Sequence, residues 1–584
     1  MIKNIFFTFF LAIITLSGQA QAFMRPTKAA TRWVENTFRQ LNDTQKIAQL
    51  MVVRAHSNLG HAHEQSVTAL IQQYNIGALC FFQGGPIRQA LLTNYYQSIA
   101  KTPLMICIDA EWGLGMRLDS VSNFPKQLLV GATNSSRLAY QLGNAVGQQC
   151  KRMGIHVNYA PVVDVNNNRN NPVINDRSFG ENKIKVAQLG IAYMRGLQKA
   201  GIMACAKHFP GHGDVAVDSH YDLPIINKTS AQLDSLELYP FKKMIAAGVG
   251  SMMTAHLYIP ALDTTANRAS SLSPKITTQL LQEQLHFKGL VVTDGLEMKG
   301  VTNYFPNGEA AVQALIAGND MLCVPMDVPL AITKTLEAIN AGKISWNTID
   351  QKVKKVLLAK YHLQHQVPPH VDTTHLLTQL NAATESLNNK MASRALTLIQ
   401  LQTPTIHPIT AQKRIAYVSI GADGITWLGN RLQQNHQAHL FAFANKNTLG
   451  KQLMDDTYTT FNTDKNDTLA ARQLLHTLQD QSYDCIVVGL HNYSRRPANN
   501  FGLSSGSVWL LQQLSTKQNV ITCYFGNPYA IQNTCEATNL VACYEDNKST
   551  QLAFYNWLQG TSKTKGKLPV SVCPKWPYGT GTTP

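Results

Sequence analysis

Several features that would place this chain in a specialised class are missing. No CxxC pair occurs among its ten cysteines, so neither a zinc ribbon nor a dithiol redox pair is indicated. After residue 22, no apolar run is long enough to span a membrane. No basic run is interleaved with aromatic residues, which argues against nucleic acid as a partner. No internal repeat of short, fixed period is present.

Charged residues are scarce, and those of one sign dominate. Asp, Glu, Lys and Arg make up 15% of the chain, and 51 basic against 35 acidic residues give a net charge of +16. The simpler interpretation is a basic surface without a special partner; the alternative is attraction to an anionic matrix such as a cell wall. A hydrophobic content of 44% fits a globular protein, and 584 residues predict two or three domains.

The first 22 residues have the organisation of a secretory signal peptide. Lys3 supplies the positive end, residues 5–16 are the apolar stretch, and "AQA" (20–22) supplies small residues before a cut after Ala22. The absence of a cysteine near this cut argues against a lipid anchor. We therefore expect an exported protein, periplasmic or secreted, without a membrane span.

Eight short apolar runs precede residue 330, and helical patterns such as 136–153 and 184–200 fall between them. Most are continuously apolar, as expected for strands that are buried on both faces of a parallel sheet. The runs are 51–56, 76–82, 103–109, 156–165, 204–209, 251–256, 290–295 and 320–324. Eight alternating strand and helix patterns predict an α/β fold, a TIM-like (β/α)8 barrel, over 23–371.

A second α/β pattern follows the barrel. A polar, helix-capable segment over 372–396 predicts a linker helix, and the residues 397–584 predict an α/β sandwich domain. The predicted strands of this domain are 414–421, 439–444, 483–491, 520–527 and 539–545. Five cysteines lie inside apolar runs and are predicted to be buried thiols, while any disulfide pairing stays open: Cys80, Cys107, Cys205, Cys485 and Cys523.

In "GLVVTDGLEMKG", Asp294 directly follows a predicted barrel strand and precedes Gly295. A carboxylate at the carboxyl end of a barrel strand can serve as a nucleophile or a general base. Asp also caps helices well, and a helix could start at "LEM". Spacing alone does not distinguish a catalytic carboxylate from a helix cap.

The stretch "KHFPGHGDVAVDSH" (207–220) collects ionisable side chains at the end of another predicted strand. Asp218 and His220 are two apart, and in an extended segment such residues share a side. A carboxylate beside an imidazole makes a general acid, and Gly211 and Gly213 would make the loop mobile. A zinc site of His208, His212 and His220 is disfavoured, because Pro210 and Gly211 interrupt the helix that this spacing suits. We expect no metal and no cofactor.

Four segments together resemble glycoside hydrolase family three, and more narrowly its β-N-acetylglucosaminidases. They are "KHFPGHGDVAVDSH", "TDGLEM" (293–298), "IDAEWGLGMR" (108–117) and "NDRSFG" (175–180). The resemblance extends to "GKLPV" (566–570) in the second domain. It implies a retaining exo-β-N-acetylglucosaminidase that releases N-acetylglucosamine from peptidoglycan or chitin fragments through a covalent glycosyl–aspartate intermediate.

The resemblance also implies a role for individual residues. Asp294 resembles the nucleophile, His220 the acid/base and Asp218 its partner, while Met298 matches the methionine after the nucleophile. The positions that hold sugar hydroxyls match Asp109, Arg117, Arg177, Lys207 and His208. One departure is "DAEWGLGMR" in place of the "DQEGGRVQR" seen in many relatives, so Trp112 and Met116 could change what binds beyond the first sugar.

Other interpretations stay open at this point. A family-three β-glucosidase or β-xylosidase is one, and a non-catalytic protein that binds wall sugars is another. A histidine acid/base would also repel an anionic acceptor such as phosphate less than a carboxylate would, so phosphorolysis competes with hydrolysis. The expected partner is a carbohydrate containing N-acetylglucosamine, and a monomer is the expected state.

Overall fold

The computed structural model describes residues 22–219, 221–422, 424–443, 458–461 and 467–582. The predicted signal peptide lies outside the described residues, apart from Ala22. Among the described residues, no helix combines the length and the apolar character needed to cross a bilayer.

The described chain divides into two compact units. The first comprises the residues up to Phe124, Ser136–Val165 and Val186–Thr384; the second comprises Pro125–Ser135, Asn166–Lys185 and the residues from Glu385 onward. Two stretches inside the predicted barrel range therefore cluster with the second unit. The domain boundaries at 371 and 396 stay predictions.

The first unit contains the predicted barrel. Within its described residues, eight strands form one parallel sheet in the order β7-β6-β5-β4-β3-β2-β1-β8. They are β1 (Met51–Ala55), β2 (Ala78–Phe81), β3 (Met105–Ile108), β4 (Val157–Asn158), β5 (Met203–Phe209), β6 (Ser251–Thr254), β7 (Leu290–Thr293) and β8 (Leu322–Cys323). A parallel bridge between Val292 and Met321 brings the two ends of the sheet together. The predicted TIM-like barrel is confirmed.

Helices alternate with these strands because amphipathic segments, several with side-chain caps, lie between them. Asn42 and Thr229, for example, cap the helices that they precede and form capping boxes with the third helical residue. The α-helices up to Leu363 are Lys28–Arg39, Asp43–Ala48, His61–Tyr74, Pro86–Ile99, Gln127–Thr133, Ser136–Arg152, Lys183–Lys199, Ser230–Ser235, Leu238–Ala247, Lys299–Thr302, Glu309–Ala317, Val328–Asn340 and Trp346–Leu363, with a π-helix at Lys275–Gln284.

The second unit contains a seven-stranded sheet among its described residues, in the order β12-β11-β10-β13-β14-β15-β9. Its strands are β9 (Thr397–Leu401), β10 (Ile415–Ile420), β11 (His439–Phe443), β12 (Tyr458–Phe461), β13 (Cys485–Leu490), β14 (Val520–Tyr524) and β15 (Asn539–Ala542). In this sheet of described strands, the edge strand β9 pairs antiparallel with β15, and the other pairs are parallel. The predicted α/β domain is confirmed, and the five predicted strands lack β9 and β12.

Helices accompany this second sheet. Those at or after the predicted linker are Leu376–Asn381, Thr384–Ala395, Trp427–His436, Asp467–Asp480, Ala498–Phe501, Ser505–Ser515 and Lys548–Leu558. The linker segment over 372–396 is therefore two helices, with a break at 382–383. All five cysteines predicted to be buried thiols are buried and unpaired, and a disulfide joins Cys535 to Cys573.

Polar side chains at the strand ends of the second sheet satisfy one another. His491, directly after β13, is completely buried; its Nδ1 contacts the Asp546 carboxylate at 3.0 Å, and its Nε2 lies 2.7 Å from the Tyr417 hydroxyl. Phe525 stacks on the ring at 4.7 Å between centroids. Because both ring nitrogens are engaged inside the core, this group is structural.

Candidate active site

The polar residues of the site follow the barrel strands at their carboxyl ends. Asp109 comes directly after β3, Lys207 and His208 lie near the end of β5, and Asp294 comes directly after β7. In a parallel barrel these ends meet on one face, which is where such barrels hold their reactive groups. Burial raises the pKa of the Cys205 thiol to about 12, and the charges of Asp109 and Asp294 both contribute to this increase.

Asp294 is held by the backbone around it. Its N–H donates to the Thr254 carbonyl at the end of β6 (2.9 Å), and its Oδ1 accepts from the Gly295 N–H (2.8 Å). The helix that follows begins at Lys299, with Met298 at the capping position. Asp294 therefore does not cap that helix, and the alternative left open by the sequence is excluded.

His256 fixes the peptide next to Asp294. The imidazole is fully buried after β6, with Nε2 2.9 Å from the Gly295 carbonyl oxygen and Nδ1 2.7 Å from the Ser271 hydroxyl. A carbonyl only accepts, so Nε2 carries a hydrogen and donates it to Gly295. His256 thus positions the peptide that follows the Asp294 carboxylate.

Lys207 joins two carboxylates in the buried floor of the site. Its ammonium lies 2.8 Å from Asp109 Oδ1 and 2.8 Å from Glu111 Oε1, and its side chain is only 2% exposed. Arg117 donates to the other oxygen of Asp109 at 2.7 Å. Burial alone would raise the pKa of Asp109, but Lys207 and Arg117 hold it below its ordinary value. Asp109 is therefore ionised between the two cations.

Two arginines flank one aromatic ring at this rim. The guanidinium carbons of Arg54 and Arg117 lie 3.8 and 4.6 Å from the centroid of Phe82, which follows β2. Such cation–π contacts orient the guanidinium planes. Arg54 also pairs with Glu297, three residues after Asp294. The contacts tie the β1–β2 edge of the rim to the segment that follows β7.

Asp164 orders the turn after β5. Its carboxylate accepts from the backbone N–H groups of His208 (3.1 Å) and His212 (2.7 Å), and from His208 Nδ1 at 2.7 Å. Burial would raise the pKa of Asp164, but His208 and these hydrogen bonds lower it. One buried carboxylate thus fixes the backbone of "HFPGH" and the orientation of the His208 ring.

The two glycines of this turn are required by close packing. A Cβ on Gly213 would lie 1.7 Å from the Val165 carbonyl oxygen, and one on Gly211, whose φ is +134°, would lie 2.7 Å from the Glu237 side chain. Neither position accepts a larger residue without movement of the backbone. The structure thereby gives a packing reason for glycines that the sequence assigned to loop mobility.

The loop 214–222 is held at several points. Val215 packs in a small core with Ile226 and Leu257, and Asp214 pairs with Lys228 at 2.7 Å. Ser219 is buried, and its hydroxyl lies 3.2 Å from Nε2 of His212. Burial and the neighbouring His208 lower the pKa of His212 to about 4, so this ring is neutral near pH 7.

The same loop carries the predicted acid/base pair. The Asp218 carbonyl accepts from the N–H groups of Tyr221 (3.0 Å) and Asp222 (3.2 Å). His220 lies outside the described residues, and its pairing with Asp218 stays a prediction.

The remaining predicted residues are placed as follows. Met298 is buried, and its sulfur would lie 3.6 Å from a Cβ at Gly295. Arg177 lies in the second compact unit, where Nη1 donates to the Val173 carbonyl at 3.3 Å, so its sugar contact stays a prediction. Within the described ranges, no group of three or more His, Cys, Asp or Glu residues is arranged to hold a metal ion.

Comparison with known proteins identifies the protein family. The profile of the "Glycosyl hydrolase family 3 N terminal domain" matches residues 43–359, more than half of the chain. The chain belongs to glycosyl hydrolase family 3. The predicted resemblance is confirmed, and so is the prediction of a glycoside hydrolase.

Two relatives of this family 3 chain are both named beta-hexosaminidases. It is 37% identical over 285 residues to "Beta-hexosaminidase A" of Pseudoalteromonas piscicida, a match that covers 45% of this chain and 48% of the relative. It is 29% identical over 335 residues to "Beta-hexosaminidase LpqI" of Mycobacterium tuberculosis, covering 55% and 83% of the two chains. The chain thus spans about half the length of the Pseudoalteromonas relative.

A solved family 3 structure covers nearly the whole chain. The β-N-acetylglucosaminidase from Paenibacillus sp. str. FPU-7 has a TM-score of 0.75 and 28% sequence identity, with coverage of 91% of this chain and 99% of its own. The two-unit architecture is thus shared with a known family member.

Three residues of this family 3 site were given no role from the sequence. Asp164 and His256 were recognisable only as polar residues that follow apolar runs, and Glu111 only by its spacing from Asp109. Each acts through a partner that is distant in sequence: His208, Gly295 and Lys207. The sequence places Asp164 and His256 among the polar residues at the ends of predicted strands, but it does not give their partners.

Proposed function

We propose that this chain is a retaining exo-β-N-acetylglucosaminidase that removes terminal N-acetylglucosamine from peptidoglycan or chitin fragments. The observation that carries the proposal is the placement of Asp294 after β7, outside any helix cap, on the barrel face that also holds the Lys207 cluster. The names of the Pseudoalteromonas and Paenibacillus proteins support a hexosamine substrate.

In the first half-reaction, an Asp294 oxygen attacks the anomeric carbon of the terminal sugar. The bond from that carbon to the leaving oxygen breaks, and His220 donates a proton to this oxygen. The product is an ester between Asp294 and the sugar. In the second half-reaction water attacks the same carbon, His220 takes its proton, and the carboxylate of Asp294 is released.

The Lys207 cluster supplies the fixed charges for substrate binding. Asp109, kept ionised by Lys207 and Arg117, offers acceptor oxygens to sugar hydroxyls, and Lys207 offers donor hydrogens. Because these groups are held by ion pairs before substrate arrives, little reorganisation is required in the transition state. Glu111 balances the second positive charge and keeps the ammonium in place.

The N-terminal pattern supports export, so we propose that the enzyme works in the periplasm or outside the cell. Fragments of wall or chitin polymers are the N-acetylglucosamine sources expected there. Comparing kcat/KM on peptidoglycan-derived disaccharide fragments and on chito-oligosaccharides would rank the two sources.

The test is a covalent trap combined with a substrate comparison. A 2-deoxy-2-fluoro glycosyl fluoride should leave a stable adduct on the peptide that contains Asp294, detected by mass spectrometry. Asp294→Asn should abolish turnover, whereas the exposed Glu283→Gln should not. A chromogenic N-acetylglucosaminide should be cleaved faster than the matching glucoside.

Other outcomes would decide for the alternatives. Faster cleavage of the glucoside would indicate a family 3 β-glucosidase. Binding of the sugar without turnover would indicate a sugar-binding protein. Formation of sugar 1-phosphate when phosphate is added would indicate phosphorolysis, and an adduct on another residue would overturn the role of Asp294.

A further inference from the structure

The second compact unit contains a recess with a strongly positive lining. Its volume is about 400 Å³, and it is lined by Lys390, Ser393, Arg394, Ser562, Lys563 and Lys565. We call these six residues the cationic pocket. Among the described residues that line it, none is acidic and none is aromatic.

One helix and one extended segment carry the basic side chains of the cationic pocket. Lys390 and Arg394 are four apart on the helix Thr384–Ala395, so they lie on one face. Lys563 and Lys565 are exposed on either side of the fully buried Thr564, so they share one side of their segment.

The segment is fixed beside the end of the helix. The Gly566 N–H donates to the Leu396 carbonyl at 3.0 Å, and a Cβ at Gly566 would lie only 1.9 Å from the Ala395 carbonyl oxygen. Arg394 Nε donates to the Thr133 carbonyl at 3.2 Å, which orients the guanidinium. The fold therefore fixes the Arg394 side chain and the backbone that carries the two lysines next to it.

The charge in the cationic pocket is not balanced by its own lining. Arg394, Lys563 and Lys565 make no ion pair with any carboxylate of the described chain. The carbonyl end of the helix contributes about half of a negative elementary charge, against the three cations Arg394, Lys563 and Lys565. Three like charges around one recess repel one another, and a bound anion would relieve that repulsion.

We propose that the cationic pocket binds the anionic groups of a charged polysaccharide. The recess suits a chain that carries discrete carboxylate or phosphate groups better than it suits a flat bilayer. Without an aromatic side chain, the lining offers no surface on which nucleic-acid bases could stack. Ser393 and Ser562 add hydroxyls that can bond to sugar hydroxyls. The site is separate from the proposed hydrolysis and would hold the enzyme on an anionic matrix.

The test compares binding of the full chain to three forms of one polymer: dextran, carboxymethyl-dextran and phosphorylated dextran. The variant is Lys563→Gln/Lys565→Gln. Its matched control is Lys101→Gln/Lys199→Gln, which removes the same charge from two exposed lysines of the first unit. We expect the pocket variant to bind the charged dextrans roughly tenfold more weakly and the control less than about twofold more weakly.

Further results separate the possible sources of the anion. Tighter binding of carboxymethyl-dextran would assign carboxylates, and tighter binding of phosphorylated dextran would assign phosphates. The difference between variants should disappear near 1 M salt, where the screening length is about 3 Å. Cleavage of a small chromogenic substrate should be the same in both variants.

Three outcomes would overturn the proposal. Equal losses in the pocket variant and its control would show that only overall charge matters. Equal binding of neutral and charged dextran would exclude anion recognition. A difference confined to phosphatidylglycerol vesicles or duplex DNA, with none on the dextrans, would assign the pocket to a different partner.

Discussion

The backbone N–H of Gly300 donates a hydrogen bond to the carbonyl oxygen of Ser219 across 3.3 Å. The bond joins the segment after Asp294 to the residue that precedes His220. A few residues further on, the Tyr304 hydroxyl donates to Asp222 at 3.3 Å. Two hydrogen bonds thus connect the segment after the proposed nucleophile to the loop of the proposed acid/base.

Gly300→Ala should disturb this connection. An added Cβ would lie 2.9 Å from the Ser219 carbonyl oxygen and 3.0 Å from that of Asp222, so the loop must move. We expect roughly tenfold slower cleavage of a substrate with a poor leaving group, and little change for an activated aryl glycoside. The exposed neighbour Lys299→Ala is the control. Equal losses on both substrates would mean that Asp294, not the loop, has been displaced.

His220→Ala tests proton donation directly. A poor leaving group needs the proton and an activated one does not, so the loss of kcat/KM should be roughly 100-fold or more for the former and small for the latter. The slope of the rate against leaving-group pKa measures this. A uniform loss across the series would argue against the acid role.

Asp164→Asn should act through His208. The amide keeps the shape but loses the negative charge that His208 and three N–H hydrogen bonds stabilise in the wild type. Misplacement of the turn should reduce kcat/KM roughly 10- to 100-fold on all substrates, whatever the leaving group. Asn170→Asp, which adds a charge at an exposed position nearby in sequence, should not reproduce this pattern. Full activity of Asp164→Asn would show that the turn is held by other contacts.

Lys207→Met should destabilise the fold as well as abolish activity. It would leave the Asp109 and Glu111 carboxylates in a buried site with one cation fewer, and breaking such a pair typically costs about 3–5 kcal/mol. Urea unfolding measures the loss, with the exposed Lys199→Met as control. A midpoint equal to that of the control would contradict the buried ion pairs.

Lys360 should make stability depend on pH. Burial lowers its pKa to about 7, and its ammonium nitrogen lies 2.6 Å from Gln49 Oε1. Between pH 7 and about 10.4, Lys360 is protonated in the unfolded chain and neutral in the folded chain, so the free energy of unfolding rises with pH in this window. Below pH 7 both states are protonated, and this group adds no pH dependence.

Lys360→Met should remove that slope. The gap in unfolding free energy between wild type and variant should change by about 1 kcal/mol between pH 7.5 and 8.5, as measured by urea unfolding. The exposed Lys199→Met should keep a constant gap. A constant gap for Lys360→Met would mean that the lysine titrates near its ordinary pKa.

Most strands of the two sheets could be predicted from the sequence. All eight barrel runs became strands, because a continuously apolar segment bounded by turn residues has few alternatives to a buried parallel strand. The strands missed in the second unit, β9 and β12, have more polar sequences, "TLIQL" and "YTTF". Their pairing depends on the edge of a sheet that already exists.

The residues alone indicate which chemistry is possible. The sequence places Asp294, Asp109 and Lys207 at strand ends, and the barrel then brings those ends to one face. How the charges are paired follows from the three-dimensional packing: Lys207 pairs with Glu111 across 96 residues of chain, and His208 with Asp164 at a separation of 44. Periodicity reports whether a side chain is buried. It carries no information on which distant group compensates a buried charge, because that choice depends on the packing of the whole barrel.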